Sequence, residues 1–173
     1  MSGTPDDDLP PGTGILALEA AVSEKGRDLL AAIADGRVPQ PPITGVLDFR
    51  LAEVGEGTAV FSGTPSRRLY NPLGTVHGGW IATLLDSCMG CAVHTTLGAG
   101  EGYTTLEIKV NYVKALTART GPVRAEGRLT SRGRRIATAE GRLVDGAGKV
   151  LALATTTCLI FPLAETGSSG RGS

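Results

Sequence analysis

Hydrophobic positions along the chain are densest after a His77-Gly78-Gly79 turn, where they recur at helical spacing and leave little polar surface. This pattern predicts a helix over residues 78–97. Its apolar positions are Trp80, Ile81, Leu84, Leu85, Cys88, Met89, Ala92 and Val93. One carboxylate, that of Asp86, lies in the middle of the helix. Burial of a carboxylate there is costly unless it has hydrogen-bond partners or a functional role. This helix is therefore the first candidate for a functional site.

Alternating polar and apolar positions predict strands on both sides of the apolar helix. These strands cover residues 46–54, 58–63, 103–114, 123–130, 135–144 and 149–161. The first strand after the helix is expected to present two faces, with Leu106, Ile108, Val110 and Tyr112 on one and Thr105, Glu107, Lys109 and Asn111 on the other. An antiparallel sheet wrapped around a single helix buries these faces economically, which predicts an α+β fold.

The remaining pattern divides the chain into one domain with extensions. Residues 15–44 are expected to form an N-terminal helix, ending at Asp35 before a Gly36 C-cap, and an extended Pro-rich connector. Residues 45–161 form the predicted domain, since 173 residues suffice for one sizeable core. The polar tails, residues 1–14 and 162–173, are expected to be disordered.

Composition excludes several functions. Lysine plus arginine (17) equals aspartate plus glutamate (17), so no basic field favours a nucleic-acid partner. We find no apolar run of membrane length and no signal-peptide pattern, so we expect a cytoplasmic protein without a membrane partner. Cys88 and Cys91 fall inside the apolar helix, where inert core thiols are expected. Two histidines without an acid cluster predict no metal site, and a contact with the helix dipole explains His94.

The turn and helix carry a spaced motif: Asn71-x-x-Gly74-x-x-His77-Gly78-Gly79, an acid nine residues after the histidine, and a Thr-Thr-Leu-Glu strand start. This motif resembles that of hotdog-fold acyl-CoA thioesterases of the phenylacetate-pathway and 4-hydroxybenzoyl-CoA type, over roughly residues 45–161. The resemblance implies a hotdog fold, an acyl-CoA substrate, a site shared between two subunits, and dimers that pair into tetramers. The N-terminal helix and both tails lie outside it.

Thioester hydrolysis needs a donor for the carbonyl oxygen and a carboxylate that activates water or attacks directly. Gly78 falls in the first helical turn, where N–H groups are unpaired, and its lack of a side chain lets a carbonyl approach. The alternative is that the glycines only allow tight packing. Asp86 is the candidate base or nucleophile; the alternatives are an exposed acid or a capped structural acid. Because eight residues separate Gly78 from Asp86, about 12 Å along the helix axis, two antiparallel helices are predicted to share the site.

Three polar residues complete the predicted catalytic set. His77 precedes the helix and is expected either to orient the thioester or to brace the turn. The resemblance implies that Asn71 positions the acid or its water and that Thr105 holds the water. The alternative for Thr105 is an ordinary strand threonine.

Coenzyme A carries phosphates, which arginine side chains bind well. Arg132, Arg134 and Arg135 form the densest basic cluster, at a predicted hairpin turn. Arg67 and Arg68 are a second candidate pair, and Lys114 is a weaker one; a charged turn is also commonly just solvated. No metal or organic cofactor is expected, because coenzyme A belongs to the substrate.

The sequence therefore predicts a homo-oligomeric acyl-CoA thioesterase. One alternative is a hotdog hydratase or dehydratase, which would pair a catalytic histidine with an acid, but His77 lies on the wrong side of the turn for that role. The other is a non-catalytic acyl-CoA-binding module, and the 44 residues before Gly45 leave no room for an output domain.

Overall fold

The computed structural model describes residues 8–163, apart from the side chains of Leu18 and Ala21. The elements, in chain order, are helices α1 (Leu18–Ser23), α2 (Gly26–Ala34) and α3 (Pro42–Leu47), strands β1 (Phe49–Gly55) and β2 (Thr58–Gly63), helix α4 (Gly78–His94), and strands β3 (Glu101–Tyr112), β4 (Val123–Arg132), β5 (Ile136–Asp145) and β6 (Val150–Pro162). Short 3-10 helices, Arg67–Leu69 and Ala118–Thr120, lie in two of the connections.

The six strands form one antiparallel sheet in the order β1-β2-β4-β5-β6-β3. The sheet wraps around α4, which packs against every strand. The helix buries Leu84, Leu85, Cys88 and Met89 completely in the core. This arrangement confirms the predicted α+β fold, an antiparallel sheet around one long apolar helix.

Two glycines let the centre of the sheet approach α4 closely. Gly127 of β4 and Gly141 of β5 are directly opposite each other in the ladder. A Cβ at Gly127 would lie 2.2 Å from the Cys88 carbonyl oxygen, and one at Gly141 would lie 2.9 Å from Met89 Cγ. The helix backbone therefore lies directly on the sheet at this point.

The prediction of one N-terminal helix followed by an extended connector is wrong in two respects. The helix divides at Lys25, because the Gly26 N–H donates to the Leu97 carbonyl (3.1 Å) and Gly26 packs on the His94 backbone. The connector contains α3, because Pro42 occupies its first turn, where proline's fixed φ and missing N–H fit a helix.

The helix α3 also shortens the predicted first strand. Asp48 follows α3 in the left-handed region, with φ 55°, and turns the chain so that β1 begins at Phe49 rather than at residue 46. The predicted C-cap at Gly36 agrees with its φ of 75° and with its N–H bond to the Ile33 carbonyl.

The expected disorder of the tails can be compared with the structure only in part. Residues 1–7 and 164–173 lie outside the described residues. The expectation is wrong for residues 8–14, because a Pro10–Thr13 turn and a bridge from Thr13 to Gln40 order them. At the other end, Pro162 completes β6 and the Leu163 N–H donates to the Gly100 carbonyl.

A bulge in β3 changes the predicted assignment of its faces. Thr105 pairs with Cys158 and Glu107 pairs with Thr157, so Leu106 is an extra residue without a partner. Leu106 is therefore exposed (55%) instead of sharing the inner face with Ile108. Because the alternation restarts at the bulge, Thr105 faces the helix, whereas a regular strand would turn it outward with Glu107.

Candidate active site

The loop before α4 is held by the side chain of Asn71. Its Oδ1 accepts hydrogen bonds from the N–H groups of Leu73 (2.9 Å) and Thr75 (3.3 Å), and its Nδ2 donates to Thr75 Oγ1 (2.9 Å). Asn71 thus makes its bonds within its own loop and fixes the segment that leads into the helix. The structure does not bring Asn71 to Asp86 through any hydrogen bond of the described chain.

His77 is the N-cap of α4. Its Nδ1 accepts the Gly79 N–H (2.9 Å), and its carbonyl oxygen accepts the Trp80 N–H (3.1 Å). Capping of this kind satisfies donors that a helix start leaves unpaired. The geometry agrees with the bracing role; a direct contact with a thioester stays a prediction.

Gly78, the first residue of α4, is left with a free donor. Within residues 8–163 its N–H has no hydrogen-bond acceptor, although its carbonyl oxygen accepts the Tyr112 hydroxyl (3.1 Å). The ring of Tyr112 lies where a side chain would project, since a Cβ on Gly78 would be 3.1 Å from Tyr112 Cζ. A free N–H at the positive end of a helix is suited to binding a carbonyl oxygen that becomes negative.

Asp86 lies half-buried on the side of α4 that faces β3. Its Oδ1 accepts a hydrogen bond from Thr105 Oγ1 (3.0 Å). The structure therefore brings together two residues of the predicted set, and it does so through the bulge that turns Thr105 inward. A carboxylate held by one hydroxyl keeps acceptor capacity for a water or a substrate.

The thiols beside Asp86 are poor nucleophiles. Burial raises the pKa of Cys91 to about 12 and also raises the pKa of Cys88, in both cases with a smaller contribution from the Asp86 charge. Because only the thiolate reacts, both groups remain protonated near neutral pH. This geometry agrees with the expectation of inert core thiols.

His94 does not act as a cation at the helix end. Burial lowers the pKa of its imidazole, and its ring packs against Tyr103 with 5.5 Å between the ring centroids. A neutral ring gains little from the helix dipole, so the explanation of His94 by a dipole contact is wrong. Packing against Tyr103 and Gly26 accounts for it instead.

The predicted phosphate ligands differ in how free they are. Arg132 is engaged with Glu101 (Nη2 to Oε2, 2.9 Å) and with the Gly133 carbonyl, and its side chain is only 25% exposed. Arg134 and Arg135 are exposed and form no ion pair within the described chain. Of the predicted cluster, these two remain available to a ligand.

The other candidate cations lie apart from that turn. Arg67 and Arg68 are exposed in the 3-10 helix after β2. Lys114 follows β3 and, with Arg119 and Asp145, lines a surface depression of about 340 Å³. The Leu116 carbonyl accepts the Val76 N–H (2.9 Å), so this depression lies on the loop joined to the start of α4.

Sequence reasoning did not identify the contact between Tyr112 and Gly78 or the pair of Glu101 with Arg132. Both contacts depend on which residues of β3 lie beside α4 and beside the β4–β5 turn. The register of β3 in the sheet decides this, and a local sequence pattern does not give that register. For the first contact, the only signal in the sequence was a Tyr at the end of an alternating strand. For the second, the sequence near the three arginines contains no sign of Glu101, which lies 31 residues before Arg132.

Among the residues described, we find no group of three or more His, Cys, Asp or Glu side chains placed to hold a metal ion. None of the described helices is long and apolar enough to cross a membrane.

Comparison with known proteins finds similarity to thioesterases. The model of the thioesterase superfamily matches residues 73–152. A proposed thioesterase from Ralstonia eutropha, related to phenylacetic acid degradation, is 29% identical with a TM-score of 0.67, covering 75% of this chain and 98% of its own. A Streptococcus mutans protein whose structure contains acetyl-CoA shares the fold at 24% identity and a TM-score of 0.61, with coverage of 68% and 92%.

A proposed esterase from Saccharolobus solfataricus is 30% identical over 88 residues, which are 51% of this chain and 57% of that protein. The chain thus matches little more than half of this relative's length. The chain resembles proteins of the thioesterase superfamily over residues 73–152. The matches confirm the predicted hotdog fold and the resemblance to phenylacetate-type thioesterases, and they support the predicted enzyme class, a thioester hydrolase.

Proposed function

We propose that this protein hydrolyses acyl-CoA thioesters at a site formed by two copies of the chain. One observation carries the proposal: a free N–H at Gly78 and a carboxylate at Asp86, held by Thr105, lie on the same helix but about 12 Å apart along its axis. A single carbonyl carbon cannot be within reach of both groups. Two antiparallel α4 helices side by side would place Gly78 of each chain beside Asp86 of the other.

The β3 edge supports such a pairing. This strand ends the six-stranded sheet, so one side of its backbone has no neighbouring strand among residues 8–163 of the single chain. Apolar side chains are exposed along it and just beyond it: Leu106, Tyr112 and Val113 are each more than half exposed. An exposed edge with apolar side chains is a surface that a second copy can cover.

In the proposed reaction, the thioester oxygen accepts the Gly78 N–H, which stabilises the negative charge that develops there. Asp86 of the partner subunit takes a proton from water as the water attacks the carbonyl carbon, or attacks that carbon itself and is then released by water. The carbon–sulfur bond breaks, and the thiolate leaves and is protonated. Thr105 holds the carboxylate in position, and no metal or organic cofactor takes part.

Coenzyme A would place its phosphates on free cations. Arg134, Arg135 and Lys114 are predicted ligands that the structure leaves exposed, whereas Arg132 is held by Glu101 and supports the turn. In antiparallel dimers, the β4–β5 turn of one chain and Lys114 of the other would come to the same end of the site, because Lys114 lies near the start of α4 and the turn lies near its end. The acetyl-CoA in the Streptococcus mutans structure supports this class of ligand.

A dimer of dimers is proposed through the outer face of the sheet. That face carries a groove of about 760 Å³, lined among others by Glu126, Arg128, Glu140 and Arg142. Within one chain these groups already pair, Arg142 with Glu126 (2.7 Å) and Arg128 with Glu140 (3.9 Å). Two such faces related by a two-fold axis can extend these pairs into a network across the interface.

Release of free thiol from a panel of aliphatic and aromatic acyl-CoAs, followed with a thiol reagent, tests the proposal. We expect turnover of at least one substrate by the native protein and none by Asp86→Asn. Tight binding of acyl-CoA without turnover would contradict it and favour the binding module. Addition of water to an enoyl-CoA would favour the hydratase.

A further inference from the structure

We propose that Tyr112 is a positioning residue for the carbonyl-binding N–H of Gly78. The inference rests on the proposed function and extends it to a residue that touches neither the carboxylate nor, by this account, the reacting carbon. Tyr112 is the last residue of β3, and its hydroxyl donates to the Gly78 carbonyl oxygen at 3.1 Å.

The argument begins with the peptide group between Gly78 and Gly79. Its N–H donates to His77 Nδ1 at 2.9 Å, and its carbonyl oxygen accepts the Tyr112 hydroxyl. Both polar atoms of this peptide are therefore bound by side chains, one from the cap and one from the neighbouring strand. These two hydrogen bonds act at opposite edges of one peptide group and restrain its orientation.

The preceding peptide group carries the N–H of Gly78, which has no acceptor in the described chain. The carbonyl oxygen of this peptide, that of His77, accepts the Trp80 N–H (3.1 Å), and the His77 N–H donates to the Leu69 carbonyl (2.7 Å). The direction of the Gly78 N–H depends on these bonds and on the peptide that follows. Glycine has the least conformational restriction of all residues, so two successive glycines would otherwise leave the start of the helix variable. The Tyr112 hydroxyl adds to the His77 cap a restraint on the one carbonyl between the two glycines.

The ring of Tyr112 contributes in a second way. It lies against Gly78, with Cζ, the hydroxyl oxygen and Cε1 all 3.1–3.3 Å from where a Cβ would be. Yet Tyr112 is 54% exposed, so its ring borders the open side of the helix start. A donor held in place before the reaction stabilises the transition state without a reorganisation cost.

Tyr103 offers a matched control on the same strand. It also faces α4 and packs on a glycine, with its hydroxyl oxygen 2.8 Å from where a Cβ on Gly90 would be. Unlike Tyr112, its hydroxyl makes no hydrogen bond to any described residue. Replacing either Tyr by Phe removes one oxygen atom, but only Tyr112→Phe removes a hydrogen bond from the peptide at the helix start.

We expect Tyr112→Phe to lower kcat about three- to tenfold with KM unchanged. This is the effect expected when one lost hydrogen bond weakens stabilisation of the transition state but not binding of the substrate. The loss should be the same for short, long and aromatic acyl groups, because every thioester presents the same carbonyl oxygen. Tyr103→Phe, which loses no hydrogen bond to a described residue, should leave both constants within about twofold of the native values.

A spectroscopic measurement reads the contact without catalysis. In protein labelled with [1-13C]glycine, the carbonyl resonance of Gly78 should shift in Tyr112→Phe and stay in place in Tyr103→Phe, while thermal unfolding stays near that of the native protein. A kcat unaffected by Tyr112→Phe in an active enzyme, or an unmoved Gly78 resonance, would overturn the positioning role.

Two other outcomes are distinct. A change confined to KM, or one that differs between acyl groups, would make Tyr112 a contact of the acyl group and overturn the inference. Failure of the native protein to hydrolyse any acyl-CoA would instead overturn the proposed function, and the inference would fall with it.

Discussion

The two sides of α4 use small residues for opposite purposes. Towards β4 and β5, Gly127 and Gly141 bring the sheet into contact with the helix backbone, and nothing else can enter. Towards β3, Gly78 and Asp86 lie on a side that stays partly open, where polar atoms keep unused hydrogen-bonding capacity. The comparison shows that one apolar helix can form the core on one side and present a reactive surface on the other.

The largest effect should come from the open side. Asp86→Asn should reduce hydrolysis by several hundred-fold or more, as expected on loss of an essential base or nucleophile, because an amide can act as neither. The fold should persist, since the amide oxygen can still accept the Thr105 hydroxyl. Steady-state kinetics and thermal unfolding check both parts, and hydrolysis within tenfold of the native rate would rule out the catalytic assignment.

On the closed side, Gly127→Ala should lower the free energy of unfolding by about 1–3 kcal/mol, as overpacking commonly does. Its Cβ would meet the Cys88 carbonyl, which cannot move without the helix. Gly146→Ala is the control, because its Cβ would meet nothing within 4 Å. Denaturant unfolding compares the two; equal stability would show that the helix does not lie as close to β4 as described.

A third substitution separates the bond to Asp86 from the shape of Thr105. Thr105→Val should lower kcat about tenfold or more, in line with a hydrogen bond to a charged group, while Thr105→Ser should keep most of the activity. Both variants preserve the bulge at Leu106. If valine and serine lowered kcat equally, the hydroxyl would have no part in holding the acid.

The smallest effect is expected outside the reacting centre. Arg134→Ala combined with Arg135→Ala should raise KM for acyl-CoA about three- to tenfold and leave turnover of an N-acetylcysteamine thioester unchanged, because that substrate lacks the nucleotide. Arg27→Ala with Arg37→Ala removes the same charge from exposed positions elsewhere and should change neither. Equal effects on both substrates would move the nucleotide site, with Arg67 and Arg68 next to be tested.

Much of the closed side could be predicted from the sequence. The apolar residues from Trp80 to Val93 recur at helical spacing and all pack against the same sheet. They therefore specify a buried helix whatever the register of the strands. The strands were predicted within a few residues for the same reason. Helix α3 was missed because two prolines predict an extended chain as readily as a first helical turn.

The open side was only partly predictable. The motif around Gly78 and Asp86 marked the correct helix, but the partners of these residues depend on register. Period-two alternation placed Thr105 outward with Glu107, and only the bulge at Leu106 turns it to Asp86. A bulge adds one residue without a strong sequence signal, so a local pattern cannot place it.

Mixed subunits test most directly whether two chains form each site. Gly78→Val should crowd the carbonyl-binding N–H and Asp86→Asn removes the acid, so each variant alone should be nearly inactive. In a mixed dimer one site would carry both defects and the other neither. Co-refolding the two inactive proteins should then restore activity towards half the native value per mixed dimer. No recovery at any mixing ratio, with mixed dimers confirmed by native mass spectrometry, would contradict the shared site.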